Sequence, residues 1–183
     1  MIVQKSKQFV KGFTLIELIV VIAIISLLAS IVLINLNVGR QKSRAAKRYS
    51  DLKQVQSALE LYYTDFGSYP QSASSGGLWN SQCPAWGSVA ANSVIPGLVP
   101  KYLAAMPADP SQNIPTNNNC YLYRSDGTGY KFMDFNVYDI PAADLNKYPQ
   151  FQDPVYYNYA ACGIYSAATN AISVYSRSWR CSG

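Results

Sequence analysis

The sequence predicts an α+β protein in which a long N-terminal helix, apolar in its first half and amphipathic in its second, packs on a C-terminal antiparallel β-sheet. Three observations carry this. From Leu18 to Ile34 there is no charged residue, and Ser26 and Ser30 are the only hydroxyls. Further on, Ala45, Tyr49, Leu52, Val55, Leu59, Tyr62 and Phe66 recur three or four apart, an apolar stripe on a helix. Beyond these, the Tyr/Val/Ile/Phe-rich segments 120–124, 130–140, 155–165 and 171–179 alternate with turn signals, as strands of a sheet do.

A chain of 183 residues accommodates one ordinary domain and an appendage. The composition is 49% hydrophobic and only 14% charged, against a typical charged share of roughly 25%, so part of the chain belongs outside water. Residues 1–12 hold Lys5, Lys7 and Lys11 and no acid. Without them the net charge of +5 shrinks to a remainder too small to imply nucleic-acid binding. There is no histidine, which excludes Ser-His and Cys-His catalysis and removes the commonest metal ligand. No pocket-forming motif supports carboxylate or lysine catalysis, and the chain reads as a non-enzyme. The organisation expected is a basic segment 1–12, an apolar helical half 13–38, and a head 39–183. The head divides into an amphipathic helix 39–70, a loop region 71–119 and a β-rich part 120–183.

With Phe13 to Ile16 before it, the apolar run reaches the roughly 20 residues that cross a bilayer as a helix. It is too long for a cleavable secretory signal, and no clear A-x-A site follows it. An ordinary membrane anchor fits the length but leaves Glu17 unexplained, because an ionisable group in an apolar segment is costly without a partner.

The run Lys11-Gly12-Phe13-Thr14-Leu15-Ile16-Glu17-Leu18 resembles the processing site of type IV pilins and type II secretion pseudopilins. The resemblance implies that residues 1–12 are a prepilin leader, that a prepilin peptidase cuts after Gly12 on the cytoplasmic side, and that the new amine of Phe13 is methylated. It also implies a homo-oligomeric helical filament, an inner-membrane assembly platform, and a single-pass subunit held in membrane lipid with its head exported to a periplasmic or cell-surface filament. Chemically, the cationic amine at Phe13 gives Glu17 an opposite charge, in its own chain or the neighbouring one. In a low-dielectric filament core that pairing offsets much of the burial cost. Glu17 also falls in the first helical turn, where the helix dipole favours an anion. Lysine and arginine counting alone opposes this topology, since Arg40, Lys42, Arg44, Lys47 and Arg48 follow the span. The cysteines, the tyrosine-rich head and the resemblance override it.

Gly67 and Pro70 end the second half of the helix. If the two halves are continuous, Phe13 to Phe66 form one rod of roughly 80 Å at about 1.5 Å per residue. Arg48 and Asp51 read as an i,i+3 charge pair on the face opposite the stripe. The basic run Arg40 to Arg48 reads as a solvated or headgroup-facing turn; it lacks the interleaved aromatics of a strand-stacking nucleic-acid site. Residues 71–100, rich in Ser, Gly, Asn and Pro, read as a long ordered loop, and Asp126-Gly127 marks a hairpin.

Cys83, Cys120, Cys162 and Cys181 lack the close pairs of a zinc site. In an oxidising compartment they form two disulfides, for which three connectivities exist. Local loop closure favours Cys83 with Cys120 and Cys162 with Cys181.

A second resemblance, to the major pseudopilin of type II secretion, rests on Ala58-Leu59 through Tyr62, Asp65, Gly67 and Tyr69-Pro70, then Tyr102-Leu103 and Met106-Pro107-Ala108-Asp109-Pro110. The four cysteines suit pilus subunits better, and Ile34 stands where many pilins carry a proline. A type IV pilus-like subunit is therefore the leading reading, with a secretion pseudopilin and a surface-binding adhesin or DNA-uptake pilin as alternatives. No cofactor is expected. Some pseudopilins bind calcium in this part of the head, which raises the question for Asp126, Asp134, Asp139 and Asp144. These acids do not form a loop of alternate ligands, and turn and surface roles are expected of them.

Overall fold

The computed structural model describes residues 12–72, 79–84, 87, 89–113, 119–134, 137, 139–140, 147–151 and 171–176, without the side chains of 31–35. The chain divides into two compact units, Met1–Arg40 and Gln41–Gly183.

A single helix, α1, covers Leu15–Phe66. Its start follows from a reciprocal cap. Thr14 Oγ1 accepts from the Glu17 backbone N–H at 3.3 Å, and the Glu17 carboxylate accepts from the Thr14 N–H at 2.8 Å, the Thr-x-x-Glu capping box. At the other end Gly67 takes φ 68°, and its N–H bonds to Tyr63 C=O at 2.8 Å. That left-handed conformation suits glycine and terminates the helix.

In the first unit the described large apolar side chains of α1 are exposed all round, from Leu15 at 75% to Val21 at 46%. Ser26 and Ser30 donate to the carbonyls of Ile22 and Leu27, each at 2.7 Å. Their hydroxyls therefore need no outside partner. Among the described residues no helix is long and apolar enough to cross a membrane.

In the second unit Ala45, Tyr49, Leu52, Val55, Ala58 and Leu59 of α1 are buried against a four-stranded antiparallel sheet. Its order is β1 (Asn80–Ser81), β2 (Tyr121–Ser125), β3 (Tyr130–Asp134), β4 (Ile172–Tyr175). Side chains alternate between faces. Tyr121, Tyr123, Phe132, Ile172 and Val174 enter the helix-side core, whereas Leu122 and Met133 join Trp79 in a second cluster. The register pairs Tyr123 with Phe132 and Phe132 with Val174, stacking these large residues across the sheet.

The β2–β3 turn is set by Asp126, whose Oδ1 accepts from the N–H groups of Thr128 at 2.8 Å and Gly129 at 2.9 Å. Partial burial would raise its pKa, but these bonds prevail and hold it below the usual carboxylate range. Gly127 at φ 92° supplies the left-handed residue that the turn requires.

Several expectations are corrected. Strand β1 lies inside the segment read as loop, because the backbone at Asn80 and Ser81 pairs with Tyr123 and Leu122. Strand β3 stops at Asp134 instead of reaching Ile140. Phe66, expected on the buried stripe, is 58% exposed; its ring lies against Tyr62 at 4.4 Å and under Lys101 Nζ at 5.6 Å. The expected strand 155–165 lies outside the described residues.

Candidate assembly segment and buried charge cluster

Gly12, after which the cut is expected, is exposed and has open space around the position of a Cβ. Phe13 follows, exposed, and then Thr14 as the helix cap. Glu17 Oε2 accepts from both the Thr14 N–H and Thr14 Oγ1, at 2.8 and 2.7 Å. The carboxylate is thus folded back to the residue directly after Phe13. The Thr14-x-x-Glu17 spacing of this cap is legible in the sequence, and it adds a hydrogen-bonding role to the helix-dipole and charge-pairing roles read for Glu17.

A second constellation lies wholly within the other unit, on α1 at Arg48. Its guanidinium is 1% exposed. Nε donates to Asp109 Oδ2 at 2.5 Å and lies 3.0 Å from Asp134 Oδ2. Nη1 donates to Asp139 Oδ1 at 2.7 Å, and Nη2 donates to Ser111 Oγ at 2.9 Å. Asp139 also receives Arg44 Nε at 2.5 Å. The cluster gathers one helix, the loop carrying Asp109 and Ser111, the end of β3, and the chain just after it.

Burial raises the pKa of two of these acids, but the net shifts are opposite. For Asp109 it would raise the pKa, but donation from Arg48 and Ser111 holds the carboxyl below its ordinary range. For Asp134 burial and the adjacent Asp109 charge push the pKa well up, and Arg48 does not cancel them. Neither Asp134 oxygen has a hydrogen-bond partner, although Oδ2 lies 3.0 Å from Arg48 Nε. Arg48 and Asp109 form the fully buried ion pair, while Arg44 meets Asp139 at the partly exposed rim.

These facts correct three expectations. Arg48 is not paired with Asp51 on a solvated face: Asp51 accepts from Lys47 at 2.9 Å and from Tyr121 Oη at 2.9 Å. The basic run is helix, not turn, and Arg48 within it is buried. Asp134, assigned a turn or surface role, is fully buried. The signal for Arg48 was present, since it lies three residues after Ala45 and four before Leu52, on the apolar stripe itself.

Calcium takes six to eight oxygens from carboxylates and carbonyls. Asp126 is engaged by its turn, Asp134 and Asp139 face guanidinium groups, and Asp144 lies outside the described residues. The described aspartates do not fit a calcium site, and among the described residues no group of three or more His, Cys, Asp or Glu is arranged to hold a metal.

Cys83 and Cys120 are joined in a disulfide with Cα atoms 6.0 Å apart, tying the loop after β1 to the start of β2. Cys162 and Cys181 lie outside the described residues.

Comparison with known proteins agrees with the N-terminal reading. The family described as "Prokaryotic N-terminal methylation motif" matches residues 8–33. The chain is 38% identical over 104 residues to "Type II secretion system core protein G" of Escherichia coli (strain K12), covering 56% of this chain and 68% of that protein. It is 42% identical over 67 residues to the protein of the same name in Aeromonas hydrophila, covering 37% of this chain and 46% of the relative. With the Pectobacterium carotovorum protein it shares 43% over 60 residues, covering 33% and 38%. These last two are thus matched over less than half their length. No solved structure matches the chain.

Proposed function

The chain belongs to the type II secretion system core protein G family, and from that premise we propose that it is the structural subunit of a helical filament of the secretion pseudopilus type. On this reading a prepilin peptidase removes residues 1–12 and methylates Phe13. The subunit waits in the inner membrane with its head exported, and an assembly platform extracts it through residues 13–38. The relatives' names favour the secretion filament over the type IV pilus, which shares the same architecture.

The observation that carries this reading is the pairing of a preset Glu17 carboxylate with an apolar helix exposed on every side. Apolar surface of that extent is covered by lipid or by like helices. Glu17 supplies an ionisable group that can fix the register of such a bundle, because its cost in a low-dielectric core calls for a cationic partner. The second disulfide, Cys162 with Cys181, belongs to the same proposal, since it requires the exported, oxidising side.

Mass spectrometry of the N-terminal peptide from cells holding a prepilin peptidase tests the processing step. A mature chain starting at methylated Phe13 is expected. An intact Met1, or a start near Ser30, overturns it.

A further inference from the structure

We infer that Arg48 is the resident cation of an acidic centre in the head, so that closing the head around Asp109, Asp134 and Asp139 needs no calcium. Three aspartates from separate stretches of chain converge on one guanidinium, with N to O separations of 2.5, 3.0 and 2.7 Å. The planar fork spreads its charge over several directions, which a point charge on a lysine could not do. Ser111 occupies a further donor position: its Oγ accepts from Arg48 Nη2 and donates to Asp109 Oδ1, which also accepts the Ser111 N–H at 2.7 Å.

The centre performs the task that an oxygen-coordinated divalent ion could perform. It ties the loop through Asp109, the sheet through Asp134, and the chain after β3 through Asp139, all onto α1. A calcium ion placed among the same carboxylates would lie against a fixed positive charge 1% exposed, a repulsion that the low-dielectric interior strengthens. The disulfide adds a covalent closure of the loop that carries Asp109, since Cys83 and Cys120 bracket it in sequence. The inference concerns the fold of the head and stands whether or not the subunit forms filaments.

Thermal unfolding of the full chain in detergent micelles, followed by near-UV circular dichroism of the head, tests this with calcium chloride and with excess EDTA. Binding at a hundredfold Kd would raise Tm by roughly 5 to 10 °C for a protein of this size. Equal Tm values in the two conditions are expected, and a calcium-dependent rise of that size overturns the inference. Arg48→Gln, which keeps much of the volume and removes the charge, is expected to melt well below the parent in EDTA; melting at the parent's temperature overturns it as well. If Arg48→Gln yields no folded protein, the calcium and EDTA comparison on the parent chain still decides.

Discussion

Arg48 Nε donates to Asp109 Oδ2 at 2.5 Å with both side chains 1% exposed, joining α1 to a loop residue 61 positions away. Breaking a buried pair from one side leaves an uncompensated charge, which costs about 3–5 kcal/mol. Asp109→Asn is therefore expected to lower the unfolding free energy of the head by that order, measured by urea denaturation at neutral pH. Because Asp109 titrates below its ordinary range when folded, its contribution is present above the unfolded pKa of about 3.9 and is lost as pH falls through the folded value.

Asp134 is expected to behave in the opposite way. Its folded pKa is raised, so the folded state keeps a proton that the unfolded chain releases above about pH 3.9. Its contribution is fully present below that pH. It falls by up to about 1.4 kcal/mol per pH unit as pH rises toward the folded pKa. Asp134→Asn mimics the protonated group and removes this slope. At neutral pH the variant should equal or exceed the parent in stability, and its stability should vary less between pH 4 and 7. A loss as large as that of Asp109→Asn would show that Asp134 is ionised.

The Thr14 cap predicts a modest local effect. Replacing an N-cap threonine with alanine costs about 0.5–2 kcal/mol of helix stability. Thr14→Ala should speed amide exchange in the first turn of α1 in micelles and leave the Tm of the head unchanged. An unaltered first turn would mean that lipid or detergent, and not the Thr14–Glu17 box, orders the start of the helix.

The local rules of the sequence made the skeleton legible. The 3–4 spacing from Ala45 to Leu59 placed the buried face, Gly67 placed the helix end, and Asp126-Gly127 placed the hairpin. What escaped was non-local. Asp109 and Asp134 flank no common motif, and only the folded chain brings them to Arg48. Arg48 itself obeyed the stripe's spacing, but its charge argued for solvent, and the compensating acids were too distant in sequence to be counted. Strand β1 was missed because two residues of Asn-Ser carry no strand propensity and pair through backbone alone.

Two disulfides are expected in exported protein, Cys83 with Cys120 and Cys162 with Cys181. Peptide mapping without reduction should recover both; crossed bridges or free thiols at Cys162 and Cys181 would contradict the second. Replacing both Cys83 and Cys120 with alanine should cost about 2–5 kcal/mol of stability, read by denaturation of the exported chain.

Electron microscopy of cells carrying a tagged chain with the secretion machinery tests the central claim most directly, because it asks whether the subunit polymerises through its N-terminal helix. The account predicts filaments that contain the tag in the parent and are scarce or absent in Glu17→Ala, although the variant is still cleaved after Gly12 and inserted. Abundant filaments in Glu17→Ala, or polymers formed by a chain beginning at Gly39, would contradict it.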